Sequence, residues 1–285
     1  MTNIALPRTS SRTKPKPPKY GYYFFAPYIF MLFVFLAAGA TGMVLGLHLD
    51  SGVVYYLGIF TALYGVLTTL GWALARYVIP GNRVTVARQI IAKLNLRGHE
   101  QTLDVGSGRG LYAIEAARML SSGHVIGIDI WDPGAIKNLG FHHSFSQPTG
   151  NTIENARQNA KLAGVSNKVE FTNMDAAHLE FADKSFDLVT CGFVIGHLWR
   201  NQGNVLKEIR RVIKDDGRLM IIDNARDLTY FLLSTPHLFV WSYLRGRKAK
   251  RLSKQNWFNT ITRSSFHILR WGMQKGIITI ECTKT

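Results

Sequence analysis

A group of small and acidic residues follows a short apolar strand and has the spacing of a cofactor site. The strand, Thr102–Val105, leads directly into a loop with three glycines at alternate positions: Gly106, Gly108 and Gly110. Backbone without side chains lets a ligand approach closely, and the next helix would point its first N–H groups at that ligand. Roughly 20 residues later a second strand ends in Asp129, whose carboxylate could accept hydrogen bonds from ribose hydroxyls. The pattern predicts a nucleotide-type cofactor.

The spacing of these glycines separates two classes of cofactor. A dinucleotide-binding loop has its third glycine three positions after the second. Leu111 occupies that position here, because the third glycine comes one residue early. Asp104, just before the loop, would repel a pyrophosphate, whereas it suits a ligand with a cationic end. The pattern therefore disfavours a nicotinamide-dependent dehydrogenase.

The same stretch resembles the first motif of the class I S-adenosylmethionine-dependent methyltransferases, whose cofactor carries an ammonium and a sulfonium. The resemblance covers about residues 84–285. Further motifs follow in the family's order: Asp129, the pair Asp175-Ala176, the strand containing Asp187 and the turn at Gly217. It implies an α/β fold with a Rossmann-like, doubly wound, mostly parallel seven-stranded sheet.

The resemblance also implies a set of cofactor-binding residues. These are Asp104, Gly106, Ser107, Gly108, Gly110, Asp129, Ile130, Asp175, Ala176 and Cys191. Asp104 and the first two loop glycines would border the methionine part of the cofactor. Asp129 would bind the ribose hydroxyls, and Ile130 would pack on the adenine. Asp175 would accept from the adenine amine, and the backbone around Cys191 would close the pocket.

Catalysis of methyl transfer needs few protein groups, because the cofactor already carries its leaving group. The protein mainly supplies positioning and desolvation, and a base is needed only for an acceptor that arrives protonated. Three histidines are candidates by their position after strands or in a long loop: His197, His142 and His143. Each could equally be an ordinary surface or structural residue. We expect Cys191 to be a small core residue without reactivity.

Composition limits the partners and excludes several kinds of site. The 285 residues can hold one α/β domain with a remainder, and the net charge of +16 favours a polyanionic partner. Nucleic acid and anionic membrane both fit that charge. The two cysteines, Cys191 and Cys282, form no close-spaced motif. We therefore expect no metal site and no disulfide framework.

The N-terminal third predicts a membrane anchor. Residues 1–21 form a proline-rich basic leader that we expect to be disordered. Residues 22–79 contain two long uncharged segments, about 27–47 and 53–75, and about 21 helical residues span roughly 32 Å, enough to cross a bilayer core. A signal peptide is disfavoured, because the first segment is too long and the second follows at once. Gly42 and Gly46 could let the two helices pack closely.

The charges that flank these two segments predict their orientation. The leader is basic, the turn at residues 50–52 carries no basic residue, and Arg76, Arg83 and Arg88 follow the second span. The positive-inside rule then places both ends in the cytoplasm and the turn outside. We expect a multi-pass integral membrane protein with cytoplasmic N- and C-termini.

Residues 80–285 have the alternating pattern of an α/β domain. Predicted helices cover 84–94, 151–163 and 205–213, with Asn151 as a cap, Gly164 as a stop and a closing turn at 215–217. Further predicted strands cover 168–173, 186–193, 218–223, 266–271 and 277–282. Residues 228–251 are apolar and then basic. They are either a core helix with a solvated loop or a segment at the membrane interface.

These observations favour a membrane-anchored methyltransferase with a lipophilic or membrane-partitioned small-molecule acceptor at the cytoplasmic face. An alternative is a sensor or scaffold that binds the cofactor without turnover. A nucleic-acid methyltransferase is disfavoured, because no Asn-Pro-Pro-Tyr-type motif follows the strand of Asp187, where Cys191-Gly-Phe-Val194 stands instead. Two uncharged spans before the domain, together with residues 127–131 and 150–156, resemble uncharacterised membrane-tethered methyltransferases of the same class.

Overall fold

The computed structural model describes residues 17–20, 26–73, 83–131, 150–198, 201–224, 253–274 and 277–285. The helices are α1 (Ala26–His48), α2 (Gly52–Ala73), α3 (Arg83–Ala92), α4 (Leu111–Met119), α5 (Ile153–Ala163), α6 (Gln202–Val212) and α7 (Lys254–Arg263). The strands are β1 (Gln101–Val105), β2 (His124–Asp129), β3 (Val169–Asn173), β4 (Phe186–Gly192), β5 (Ile213–Asn224), β6 (Phe266–Gln274) and β7 (Ile277–Lys284). Of the predicted leader 1–21, only residues 17–20 are described, and the predicted segment 228–251 lies wholly outside the described residues.

Helices α1 and α2 pack against each other as an antiparallel hairpin. Glycines permit the close approach: a Cβ at Gly58 would lie 2.5 Å from the backbone nitrogen of Met43. A Cβ at Gly46 would lie 2.4 Å from the backbone nitrogen of Tyr55, and one at Gly42 would lie 3.0 Å from the Cα of Gly58. Both members of the small-residue pair recognised in the sequence therefore face α2.

The outer surface of this hairpin is apolar and largely uncovered. Ile29–His48 and Gly52–Gly71 are long and apolar enough to cross a membrane by length and composition, and only 11% and 17% of the residues in these stretches are buried. The core helix of a soluble domain passes the same length and composition test, but it is mostly buried. Exposed large side chains on the two helices include Phe30, Phe33, Leu57, Phe60 and Leu67.

The seven strands form one sheet in the order β3-β2-β1-β4-β5-β7-β6. Strands β1 to β5 pair in parallel, whereas β7 pairs antiparallel with both β5 and β6. The sheet is therefore mixed, with most of its strands parallel, as the family resemblance implies. Only two residues separate β6 from β7, too few for the crossover connection that a parallel pair requires.

The side chains of the sheet alternate between two apolar clusters, as expected for strands covered on both faces. One cluster joins the sheet to α6 and α7 and contains Val189, Leu206 and Trp257. The other joins it to α3, α4 and α5 and contains Ile114 and Leu188. Helices on both faces confirm the doubly wound arrangement that the sequence predicted.

Three local predictions need correction. Helix α6 ends at Val212 and β5 begins at Ile213, because Ile213 is buried and pairs with Phe186 before a register shift. The helix cap before α5 is Thr152 rather than Asn151, since the Thr152 side chain accepts from the backbone N–H of Asn155. Helix α7 was not predicted, although Trp257 and Ile261 lie one helical turn apart and are both buried.

Candidate cofactor site

The candidate site lies where the order of the strands reverses. Strand β1 pairs with β2 on one side and with β4 on the other. Strands β2 and β3 therefore lie on one side of β1, and the later strands lie on the other side. In such sheets ligands bind in the crevice beyond the carboxyl ends of the strands. The glycine loop that follows β1 and the residues after β2, β3 and β4 all reach this edge.

Gly106 begins the loop and has no room for a side chain. Its φ is +71°, and a Cβ would lie 1.9 Å from Cγ2 of Val194, which follows β4. The N–H groups of Gly106 and Ser107 both donate to the carbonyl of Ile128 at 2.8 Å. The loop is therefore held to the end of β2 by its backbone and to the region after β4 by packing.

Gly108 is the loop glycine at which a Cβ would meet the fewest neighbouring atoms. Its φ is +56°, and a Cβ would lie 3.3 Å from Oδ1 of Asn151 and 3.9 Å from Oδ2 of Asp129. Gly110 differs, because its φ is +83° and a Cβ would lie 2.8 Å from the Phe171 ring. A side chain at Gly108 would lie against the polar atoms of Asn151 and Asp129, so the glycine keeps the backbone accessible to a ligand that contacts this part of the loop.

Asp104 is buried, and its carboxylate is held by residues from three elements. The Ser107 hydroxyl donates to Oδ2 at 2.5 Å and the backbone N–H of Ala113 donates to the same oxygen at 3.2 Å. The Thr190 hydroxyl on β4 donates to Oδ1 at 2.6 Å. Burial raises the pKa of Asp104 to about 6, and these three donors oppose the rise. The acid thus ties β1, α4 and β4 together beneath the loop.

Asp129 ends β2 and points toward the loop. Its Oδ2 accepts from the backbone N–H of Gly108 at 2.7 Å. Burial raises the pKa of the Asp129 carboxyl to about 6, while the hydrogen bond from Gly108 opposes the rise. A carboxylate with one oxygen fixed in this way can offer its other lone pairs to hydroxyl groups.

Trp131 is a site residue to which the sequence motifs assign no role. Its indole Nε1–H donates to the carbonyl of Gly108 at 2.9 Å, and its ring meets the Phe171 ring edge-on, with 6.3 Å between the centroids. Ile130, between Asp129 and Trp131, lies half-buried at the same edge. The Trp131 side chain therefore holds the Gly108 carbonyl in place, and its position two residues after Asp129 is the signal that the sequence offers for this role.

Asp175 and Ala176 come directly after β3 and beside the end of β2. The backbone N–H of Met174 donates to the Asp129 carbonyl at 3.2 Å, which joins the two strand ends. Asp175 is half-buried, and its Oδ1 accepts from the backbone N–H of Ala177 at 2.9 Å. The structure therefore brings Asp129 and the Asp175-Ala176 pair to one edge.

The end of β4 closes the other side of the crevice. Cys191 is buried, and burial raises its pKa well above the usual value, consistent with a core residue. A Cβ at Gly192 would lie 2.4 Å from the Tyr112 ring, so this ring covers the strand end. Asp223, at the end of β5, accepts from the backbone N–H of Gly196 at 2.8 Å. Tyr112 and Asp223 were not singled out in the sequence.

Of the three candidate bases, only His197 lies among the described residues. The backbone of His197 belongs to a short 3₁₀ turn, Ile195–His197, just after β4, which places it at the predicted edge. His142 and His143 lie outside the described residues. Among the described residues no group of three or more His, Cys, Asp or Glu side chains could hold a metal ion.

Comparison with known proteins agrees with this geometry. Residues 103–221 match the sequence family described as a methyltransferase domain. A demethylmenaquinone methyltransferase of Lactiplantibacillus plantarum is 31% identical over 140 residues, 49% of this chain and 51% of the relative. A ubiquinone/menaquinone biosynthesis C-methyltransferase of Geotalea daltonii is 28% identical over 159 residues, 55% of each chain. The chain thus spans about half the length of the curated relatives it matches.

Solved structures show the same fold. The crystal structure of a SAM-dependent methyltransferase from Aquifex aeolicus gives a TM-score of 0.51 at 16% identity, over 78% of this chain and 98% of that chain. Residues 103–221, which contain the glycine loop, Asp129 and Asp175, thus match a methyltransferase domain in sequence, and the chain shares the fold of this solved structure.

Proposed function

We propose that this protein is a membrane-anchored, S-adenosylmethionine-dependent methyltransferase that methylates a quinone-class or similarly lipophilic acceptor at the cytoplasmic face of a membrane. The observation that carries the proposal is the uncovered apolar hairpin in the same chain as the methyltransferase domain. An enzyme whose acceptor partitions into the bilayer gains effective concentration from being tethered there.

The named relatives support the choice of acceptor. Two of them are named for the methylation of demethylmenaquinone or for the biosynthesis of ubiquinone and menaquinone. These acceptors carry a polar ring on a long apolar tail, so a membrane anchor is consistent with them. The similarity covers about half of this chain and leaves the acceptor itself a proposal.

The cofactor supplies a methyl group already bonded to a sulfonium leaving group. In the proposed arrangement the chain around Gly108 borders the methionine part, and Asp129 accepts hydrogen bonds from the ribose hydroxyls. Ile130 packs on the adenine, Asp175 accepts from its amine, and the backbone at Cys191 closes the pocket. When bound, the cofactor would supply its methyl group to the acceptor, and an acceptor that arrives protonated would also release a proton.

A general base is needed only if the acceptor arrives protonated. His197 is the described candidate, because its backbone lies just beyond β4, at the edge where acceptors bind in this fold. His142 and His143 remain alternative candidates. A bell-shaped or sigmoidal pH dependence of the transfer rate, lost in His197→Gln at unchanged cofactor affinity, would assign the role to His197.

The membrane arrangement is inferred from α1, α2 and their flanks. Both helices lie in the bilayer with the turn between them outside, and the methyltransferase domain is cytoplasmic. The excess of basic residues then serves contact with anionic headgroups, and the apolar-basic segment 228–251 is a second candidate for that contact. The oligomeric state plays no part in the proposal.

The first experiment is calorimetric binding of S-adenosylmethionine to full-length protein in detergent, with Asp129→Ala and the control Asp183→Ala. Asp183 is an exposed acid paired with Arg211, so its loss tests charge without touching the site. We expect micromolar binding to wild type and to Asp183→Ala, and at least tenfold weaker binding to Asp129→Ala. No binding by well-folded wild-type protein would contradict the proposal.

The second step is transfer of labelled methyl groups in liposomes to demethylated quinols with long or short isoprenoid tails. We expect the long-tailed acceptor to react faster at equal bulk concentration, because the bilayer concentrates it near the anchored enzyme. Equal rates for both tails would argue against a membrane acceptor. Cofactor binding without transfer to any lipid extract would favour the sensor or scaffold instead.

A further inference from the structure

A short segment before the hairpin, Pro17–Tyr20, is bound to the methyltransferase domain, and we call it the leader anchor. The backbone N–H of Lys19 donates to Oδ1 of Asn159 at 2.8 Å, and Nδ2 of Asn159 donates to the carbonyl of Lys19 at 3.0 Å. One amide side chain on α5 thus binds both backbone groups of a residue 140 positions away. The Lys19 side chain itself is exposed.

The same side chain also contacts the cofactor loop. Nδ2 of Asn159 donates to the carbonyl of Arg109 at 3.0 Å, and Arg109 stands between Gly108 and Gly110. Asn159 is only 2% exposed, so leaving its amide unsatisfied would carry a desolvation cost. One buried amide therefore joins the leader anchor to the glycine loop.

Tyr20 extends this attachment along α4. Its ring packs against the apolar cluster that joins α3, α4 and α5 to the sheet. Its hydroxyl is buried with no hydrogen-bond partner among the described residues. Nearby, Glu115 of α4 accepts from Nε of Arg88 on α3 at 2.9 Å. The chain entering the hairpin and the chain leaving it are thus both attached to α4.

Chain length limits how far the loop can lie from the hairpin. Lys19 and Arg109 share one amide group, and seven residue steps separate Lys19 from Ala26, where α1 begins. An extended chain covers at most about 25 Å over that distance. A domain held in this way presents its glycine loop to the region beside the hairpin rather than rotating freely.

We propose that the leader anchor is a working part of the cofactor site, with Asn159 as a positioning residue that couples it to the glycine loop. The inference rests on the proposed cofactor binding and membrane hairpin. Because the coupling runs through the Arg109 carbonyl, losing the anchor lets the loop relax and weakens S-adenosylmethionine binding. By linkage, cofactor binding strengthens the attachment of the anchor by the same factor.

Substitution at Lys19 separates this idea from a general structural role. Lys19→Pro removes the N–H that Asn159 binds, whereas Lys19→Ala removes only an exposed side chain and keeps both backbone contacts. We expect Lys19→Pro to weaken S-adenosylmethionine binding by roughly threefold to tenfold, the effect of one hydrogen bond, and Lys19→Ala to leave it unchanged. The full-length protein is used in detergent throughout, with thermal midpoints measured in parallel.

Deletion of residues 2–20 and deletion of residues 2–16 make the matching pair. The first removes the anchor and the second keeps it, while both retain the hairpin. A lower thermal midpoint with an unchanged cofactor affinity for the first deletion would overturn the inference in favour of a purely structural role. No cofactor binding by wild type would overturn the proposed function itself.

Proteolysis tests the reverse direction of the linkage in wild-type protein. Trypsin can cut after Lys19, whose carbonyl Asn159 binds, and after Arg12 in the leader. We expect saturating S-adenosylmethionine to slow cleavage at Lys19 by the same factor by which anchor loss weakens its binding, and to leave cleavage at Arg12 unchanged. An unchanged ratio of the two cleavage rates would contradict the coupling.

Discussion

Asp104 and Asp129 are acids near adjoining strand ends, the first buried and the second half-buried, and their roles differ. Asp104 has both oxygens engaged by protein donors, so it organises the loop from below. Asp129 has one oxygen held by Gly108 and stands at the open side. Both have pKa values raised to about 6 by burial, so their protonation changes just below neutral pH.

The sign of this pH effect follows from the raised values. An unfolded Asp has a pKa near 4, so between about pH 4 and 6 the folded protein binds more protons than the unfolded chain. These two acids therefore make the protein more stable as pH falls from 7 toward 5, in the absence of cofactor. Their charge costs stability above pH 6, and their hydrogen-bond donors reduce that cost.

Thr190→Val tests this account of Asp104. The substitution removes the donor to Oδ1, which then has no other hydrogen-bond donor among the described residues, so the pKa of Asp104 rises further. We expect roughly 2 kcal/mol of destabilisation at pH 8, where the acid is charged, and clearly less at pH 5, where it is protonated. Thermal unfolding of the detergent-solubilised protein at the two pH values measures the difference.

Thr283→Val is the control for that measurement. The Thr283 hydroxyl donates to the neutral backbone carbonyl of Gly217 at 3.3 Å, so its loss should cost the same at both pH values. Equal pH dependence in the two variants would refute the role assigned to Thr190.

At the scale of elements, the hairpin depends on backbone contact at glycines. A Cβ at Gly58 would lie 2.5 Å from the Met43 nitrogen, whereas a Cβ at Gly71, on the same helix, has no atom within 4 Å. We expect Gly58→Ala to force α1 and α2 apart and Gly71→Ala to leave them packed. Disulfide trapping between cysteines introduced on facing turns of α1 and α2 reports the separation.

The efficiency of disulfide trapping in Gly58→Ala is compared with that in Gly71→Ala. Both add one methyl group and raise helix propensity equally, so a difference between them comes from packing. Similar trapping in both variants would show that the close approach does not hold the hairpin together.

Elements with local signals could be predicted from the sequence, and elements fixed by distant contacts could not. The glycine loop, the uncharged spans and most strands each carry their signal within one continuous stretch of the chain. Helix α7 is not predicted, because its apolar pattern is short and the burial of Trp257 becomes apparent only from its packing against the sheet. The Thr190–Asp104 and Lys19–Asn159 contacts join residues 86 and 140 positions apart, and no spacing rule reaches that far.

At the scale of the whole molecule, the proposed topology makes the hairpin turn and the domain face opposite sides of a membrane. Cys191 and Cys282 are both buried, so a single introduced cysteine can be labelled selectively. We expect Gly52→Cys, at the turn, to react with a membrane-impermeant maleimide on intact cells. Ser166→Cys, exposed on the domain, should react only after permeabilisation.

Labelling of both positions on intact cells would contradict the proposed topology, and so would labelling of neither after permeabilisation. Wild-type protein gives the background from the two native thiols. Gly52 suits the substitution, since the nearest atom to a Cβ there is 4.0 Å away.

The place of β7 within the sheet has a consequence for biosynthesis. This strand, formed by residues 277–284, lies between β5 and β6, so the sheet cannot close until those residues have been made. Roughly 200 residues separate them from the hairpin, or about 10–40 s of translation at usual rates. In the proposed arrangement the hairpin enters the membrane first, and the domain completes its fold afterwards, already confined to the surface where it works.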